Sequence, residues 1–251
     1  MTKEFDRWKL AQEAEKDWWD KYFKGLVGDG YLIINKDKIN EYNLIYHQEY
    51  LLRNGFDPAF FINKTVVEIG CGPIGFVSDT STSCGIGIDP LMSQFIKTAS
   101  KLEKTHYIQG IGENVPIKTD SIDVVICHNV LDHVSHPIQV INETRRILKK
   151  GGLFLIQIDT ENTIFKIIRN FAEFIKAKNR DMPHPHSFTI REIIELLDSN
   201  KLSFISERYK VNLIGNIKNK NRIKRFVIST LNYEYPFNKN SFEGVFTNLK
   251  Y

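Results

Sequence analysis

Cysteine is scarce. Cys71, Cys84 and Cys127 are the only three in 251 residues, and no two of them form a CxxC pair. That argues against a disulfide framework or a thiolate zinc site and fits a reducing compartment. No apolar run reaches membrane-spanning length, so no transmembrane span is expected. The opening stretch MTKEFDRWKLAQEAEKDWW is charged throughout and reads as no signal peptide, so a cytoplasmic location is expected. Internal repeats and low-complexity tracts are also missing. Charge of one sign is in short supply too: 34 Lys and Arg stand against 30 Asp and Glu, a net +4. A general polyanion binder, nucleic acid included, is therefore not expected.

What is present is ordinary globular material, 42 % hydrophobic and 25 % charged, in a chain long enough for a sizeable core. The small positive excess is local. Residues 211–251 hold seven basic and two acidic residues, which leaves the first 210 close to neutral. The basic run Lys218–Arg225 has no interleaved aromatics, so a solvated helix face is its default reading. Contact with an anionic small-molecule acceptor is the sharper one.

The spacing of Phe5, Trp8, Trp19 and Tyr22 among good helix formers predicts a helix over 3–24, broken by Gly25, Gly28 and Gly30. A second helix is predicted from about Asn40 to Arg53. From Thr65 short β-branched runs alternate with helical stretches. Strands are predicted at 65–70, 84–89, 105–110, 121–129, 152–159, 202–211 and 242–250, with helices at 91–103, 137–149, 163–178 and 189–199. Thr189 with Glu192 reads as a capping box, and 216–231 is expected to contain a helix. Strands alternating with helices indicate a doubly wound, mostly parallel sheet. The expected organisation is an N-terminal helical cap over 1–60 and an α/β domain over 61–251, with insertions at about 160–188 and 212–241.

The sharpest motif follows the first strand: Glu68-Ile-Gly70-Cys-Gly72-Pro-Ile-Gly75. Glycines there permit a tight strand-to-helix turn and a close approach of a ligand to the backbone. Asp89 follows 19 residues after Gly70, at the end of the second strand, where a carboxylate suits the two hydroxyls of an adenosine ribose. Two cofactor classes share this layout, NAD(P) and S-adenosylmethionine (SAM). Glu68 separates them. A carboxylate there can orient the loop and face a cationic amino group, but sits poorly beside a pyrophosphate.

VVEIGCGPIG, GIDP, GENVPIKTDSIDVVICHNVLDHV and LKKGGLFLIQI, in that order, resemble the motif series of the class I SAM-dependent methyltransferases. The likeness is to their small-molecule, methyltransferase-11-like branch and covers about residues 64–160. It implies a Rossmann-like seven-stranded sheet with an antiparallel last strand, preceded by N-terminal helices. It also implies SAM as cofactor and methyl transfer to a small-molecule acceptor. Residue by residue, it puts Glu68, Gly70, Gly72 and Gly75 under the methionine part and Asp89 on the ribose. Pro90 and Leu91 follow, with Leu91 or Met92 against adenine. Gly112 and Glu113 stand where the family reads the adenine edge. Ile111 replaces a frequent acid there, which leaves adenine to backbone groups or to Glu113. Asn129 or its neighbour His128 would face the methionine moiety.

Three histidines are the candidate catalytic bases. By the resemblance, His133 matches a recurrent histidine after the fourth strand. His184 and His186 lie on an extended segment with side chains pointing the same way, and a similar HPH-F-T element faces substrate in some bacterial methyltransferases. Histidines tied to carbonyls in a rigid loop are the plainer reading. A metal site is set aside, because no carboxylate or third histidine is close in sequence to the pair. Trp8, Trp18 and Trp19, with Glu15, resemble N-terminal helices that lid such domains, a role compatible with simple core packing. O-methylation is expected ahead of N- or C-methylation, in a bacterial sugar, lipid-linked or secondary-metabolite pathway. An NAD(P)-dependent oxidoreductase and a non-catalytic protein of the same fold are the alternatives.

Overall fold

A computed structural model describes residues 3–24, 39–78, 82–95, 105–163, 166–167, 184–200, 202–210 and 240–248. Two helices, α1 (Lys3–Phe23) and α2 (Ile39–Arg53), precede the sheet. The strands are β1 (Thr65–Ile69), β2 (Cys84–Asp89), β3 (Thr105–Gln109), β4 (Ile122–His128), β5 (Leu148–Thr160), β6 (Leu202–Lys210) and β7 (Asn240–Asn248). Further helices among the described residues include α3 (Met92–Phe95), α4 (Pro137–Ile147) and α5 (Ile190–Ser199). The seven strands form one sheet in the order β3-β2-β1-β4-β5-β7-β6, and β7 alone runs antiparallel to its neighbours. The expected Rossmann-like architecture is therefore the observed one.

The period-2 alternation of the central strands explains why both faces are covered. Val67, Ile69, Val125, Cys127, Phe154 and Ile156 point to one face, where Val140, Ile141 and Ile147 of α4 and Ile193 and Leu197 of α5 meet them. Val66, Val124, Ile126, Leu155 and Val245 point to the other, against Tyr50 and Leu51 of α2 with Phe61 and Phe76. All five side chains named on this second face are almost fully buried, so truncating Ile126 to Ala costs about 2–5 kcal/mol.

The structure lengthens one expectation and trims others. β5 begins at Leu148, because Ile122 of β4 already pairs there before the register shifts ahead of Val124. α4 consequently stops at Ile147. Its C-terminus is tied down by Asn248 at the end of β7, whose Nδ2 donates to the carbonyls of Arg145 (3.1 Å) and Leu148 (3.0 Å). The later part of the predicted 91–103 helix, most of 163–178, the 216–231 helix and the basic run Lys218–Arg225 lie outside the described residues. Among the described residues, no helix is long and apolar enough to cross a membrane.

Candidate active site

Parallel strands expose their carboxyl ends on one edge of the sheet, and ligands of such sheets gather there. β1 ends in the glycine loop. Gly70 (φ +68°) and Gly72 (φ +53°) take left-handed conformations that let the chain double back. The Gly70 and Cys71 amides both donate to Ile88 O, at 2.7 and 3.2 Å. A side chain on Gly70 would collide with Val130 Cγ2, and one on Gly75 with the Glu68 carboxylate. Buried Glu68 uses Oε2 to accept from Val77 N at 2.9 Å, which braces the far side of the loop.

Asp89 closes the near side. Its Oδ2 accepts from Gly72 N (3.0 Å) and its Oδ1 from Leu91 N (2.8 Å). Burial pushes its carboxyl up to about 6, against the pull of those two amides; Glu15 adds to the rise and His133 opposes it. Each carboxylate oxygen has capacity for a further hydrogen bond. Leu91 and Met92 pack with Cys71 and Phe95, and Trp19 and Tyr107 lie against them. Gln109 Nε2 donates to Pro90 O at 3.1 Å, which holds the turn after β2.

α1 lies directly over this loop. The Trp19 indole is 3.4 Å from the point where a Gly72 Cβ would stand, and its Nε1 donates to Glu15 Oε1 at 3.0 Å. Trp19 also meets Phe95 edge-on and contacts Trp18, Tyr22 and Phe23.

β4 separates the two neighbours that sequence left undecided. His128 turns toward α2 and sits among Tyr46, Tyr50 and Phe76, with Nε2 hydrogen-bonded to Tyr46 OH at 3.1 Å. Burial pulls it down to about 3, so it stays neutral. Asn129 belongs to the cleft edge. It adopts φ +54°, donates its amide to Gln157 O at 2.8 Å, and holds a buried Oδ1 that has no hydrogen-bond donor among the described residues.

Gly112 and Glu113 have structural contacts that sequence did not reveal. A side chain on Gly112 would meet Ile69 Cγ2 at 2.7 Å and Val140 at 3.2 Å, so the glycine lets this segment pack on β1 and α4. Glu113 Oε1 accepts from Ser135 N (2.8 Å) and His136 N (3.1 Å). It anchors the β4–α4 loop.

That loop and the 184–188 segment bring the three histidines together. His133 and His184 rings lie 4.4 Å apart, centroid to centroid. Asp132 Oδ2 is 3.7 Å from His184 Nε2, and Asp132 Oδ1 is 3.9 Å from His133 Nε2. His133 Nδ1 faces Glu15 Oε2 of α1 at 3.4 Å. His186 donates its backbone N–H to Asp132 O and its ring Nε2 to Ser135 O, both at 3.1 Å. A carbonyl only accepts, so Nε2 carries a hydrogen. His186 thus fits the carbonyl-tied reading, while His184 joins a charged cluster. The fold brings a carboxylate beside His184 from far away in sequence. Asp132 supplies it, and the LDHV motif already contained it. Neither Asp132 nor the close approach of Glu15 was singled out from sequence, because the contact depends on α1 crossing the sheet edge.

Residues 67–156 match the Methyltransferase domain family. An uncharacterized protein of Methanocaldococcus jannaschii is 29 % identical over 132 residues, 52 % of this chain and 60 % of that protein. The ubiquinone biosynthesis O-methyltransferase of Xanthomonas oryzae pv. oryzae is 29 % identical over 119 residues, 44 % of this chain and 49 % of that enzyme. The chain therefore spans less than two thirds of the length of either relative. The YcgJ protein of Bacillus subtilis superposes with a TM-score of 0.59 at 17 % identity, over 82 % of this chain and 100 % of that one.

Proposed function

We propose, for a chain that has the class I SAM-dependent methyltransferase fold, the enzymatic activity of that fold: transfer of a methyl group from SAM to a small-molecule acceptor. The residues at the cleft edge suit this cofactor. The Asp89 carboxylate has acceptor capacity left for the ribose hydroxyls, and the buried Asn129 Oδ1 is an acceptor in want of a donor, as an ammonium group would be. Gly70 and Gly75 let the loop pack against Val130 and the Glu68 carboxylate, where a side chain would collide. Leu91 and Met92 offer the apolar surface that a purine face needs.

One observation carries the choice of SAM over NAD(P). A dinucleotide places its pyrophosphate on the free amides where the glycine loop enters its helix. Here the Glu68 carboxylate already occupies the Val77 amide. An anion brought to that place would meet a buried negative charge instead of a donor, whereas a zwitterionic methionine moiety would not.

Bound SAM supplies a methyl group already activated by a sulfonium. The chain's own task is then alignment of the acceptor, worth about 7–11 kcal/mol in favourable cases, and exclusion of water. α1, with Trp19 over Gly72, is placed to act as a cap over the cofactor. His133, His184 and His186 gather on the β4–α4 loop and the 184–188 segment and are the candidates to take a proton from an acceptor hydroxyl, a contribution of about 10²–10⁴-fold. O-methylation is supported by the similarity to the Xanthomonas enzyme, which is named as an O-methyltransferase. An anionic acceptor is supported by the basic run Lys218–Arg225.

Calorimetric titration with S-adenosylhomocysteine and, separately, with NADH tests the cofactor assignment. Saturable binding of S-adenosylhomocysteine near one per chain is expected. Binding of NADH alone would overturn the proposal.

A further inference from the structure

Asp132 is a charged side chain that the cofactor reading leaves unexplained. It is nearly buried, at 6 % side-chain exposure, and among the described residues its Oδ1 accepts no hydrogen bond. Taking a carboxylate out of water without a partner is costly, and proteins meet that cost with hydrogen bonds, an ion pair or a metal. The nearest candidates are the His133 and His184 ring nitrogens. Both lie beyond hydrogen-bond distance of the carboxylate, at 3.9 and 3.7 Å. One ligand atom from each of Asp132, His133 and His184 falls within 4.8 Å of the other two.

We propose that Asp132, His133 and His184 form a binding site for a divalent transition-metal ion on the acceptor side of the cleft. Two imidazoles and one carboxylate are a donor set that suits Zn²⁺, Fe²⁺, Co²⁺ or Mn²⁺ over Ca²⁺ or Mg²⁺. An ion about 2.1 Å from each ligand, at angles near 90–110°, needs ligand atoms about 3.0–3.4 Å apart. The three ligand atoms, within 4.8 Å of one another, would have to draw together by up to about 1.4–1.8 Å to reach that spacing.

The surroundings supply what a metal site needs outside its ligands. A ligating histidine commonly points its second ring nitrogen at a carboxylate, which sets the tautomer. With His133 Nε2 on the ion side, Nδ1 lies 3.4 Å from Glu15 Oε2, near it but without a hydrogen bond among the described residues, and Trp19 Nε1 steadies that same carboxylate at 3.0 Å. Each ligand-bearing backbone is anchored separately. Asp132 O accepts from His186 N and His184 O from Arg7 Nη2, while Glu113 holds the amides of Ser135 and His136. Three ligands leave open positions for oxygen donors of the acceptor beside His186; with the ion bound, His133 and His184 serve as ligands and only His186 of the three remains as the candidate base. That use of the ion rests on the methyltransferase reading; the binding itself does not.

Titration of the full chain with Co²⁺ tests the site, followed by calorimetry and by the visible d–d absorption that reports nitrogen and oxygen ligation. One Co²⁺ per chain with micromolar affinity is expected, raising the melting temperature. His184→Ala and Asp132→Asn should each weaken binding by at least about tenfold, and Glu15→Gln by about tenfold through His133. His106→Ala, at an exposed histidine on β3, should change nothing. No saturable binding up to about 1 mM, or equal binding by all variants, would overturn the proposal. S-adenosylhomocysteine titrated into the same samples separates the two readings. Its binding without Co²⁺ binding removes only the metal site, and its failure to bind removes the methyltransferase reading.

Discussion

Asp89 shows how one side chain couples the fold to the cofactor. Its carboxylate holds the glycine loop through Gly72 and its own turn through Leu91. Burial raises its folded value to about 6 from the ordinary 3.8. The sign follows from linkage: the group's stabilising share is complete below 3.8 and is lost as pH rises through about 6. That costs about 3 kcal/mol at neutral pH. Ribose hydroxyls donating to the ionised carboxylate would recover part of it, since a hydrogen bond to a charged group contributes about 1.5–3 kcal/mol. Asp89→Ala should therefore weaken S-adenosylhomocysteine binding by about 10–100-fold while the far-ultraviolet spectrum stays native. Affinity of the unaltered protein should fall as pH drops below about 6, and the variant should lose that dependence. An affinity unchanged by the substitution would remove Asp89 from the cofactor site.

At the level of elements, what the sequence made legible was local. Alternating apolar runs located the strands, and glycine spacing located the turn after β1. The Thr189–Glu192 capping box is present as read: Thr189 Oγ1 accepts from Glu192 N (3.3 Å), and Glu192 Oε2 accepts from Thr189 N (2.7 Å). What the sequence could not show was the second use of the same residues. Lys166 Nζ donates to Glu192 Oε2 at 2.6 Å and to Ser187 O at 2.8 Å, so the cap also locks the end of the His184–Phe188 segment. Glu113 and His128 were equally opaque, because their partners Ser135 and Tyr46 are set by packing and not by spacing. Thr189→Ala should cost about 1 kcal/mol, which in a chain of this size lowers the melting temperature by about 2–4 °C. Burial pushes Glu192 up, but Lys166 and Thr189 outweigh it and hold the carboxyl below its usual value. The stabilisation by this cap is therefore present above the ordinary glutamate range and is lost as pH falls through the lowered value. Urea denaturation at pH 7 and well below the ordinary glutamate range, at about pH 2.5, would check both statements. Equal cost at the two pH values would show that the box does not act through an ionised Glu192.

Across the whole molecule, charge and aromatic content are partitioned. The first 210 residues are nearly neutral around a cleft suited to a zwitterion, and the basic excess falls late in the chain. The tryptophans are partitioned as sharply: all three, Trp8, Trp18 and Trp19, belong to α1. Intrinsic tryptophan emission therefore reports on this one helix. Trp19 touches the glycine loop at Gly72 and packs beside Leu91, Met92 and Phe95, while Glu15 one turn earlier faces His133. A ligand entering between the loop and α1 must move or repack that indole, and it changes the polarity the ring senses. Saturating S-adenosylhomocysteine should shift or quench the emission, with a midpoint equal to the calorimetric one. In Trp19→Phe the optical change should shrink markedly while binding persists, since the contact at Gly72 belongs to Trp19, while Trp18 stacks on Tyr22 and packs near Ile74. An unchanged emission under proven binding would mean that α1 is packing alone. A change that tracks occupancy would make the helix a working cap, one that links cofactor entry to Glu15, and through it to His133 and the acceptor side of the cleft.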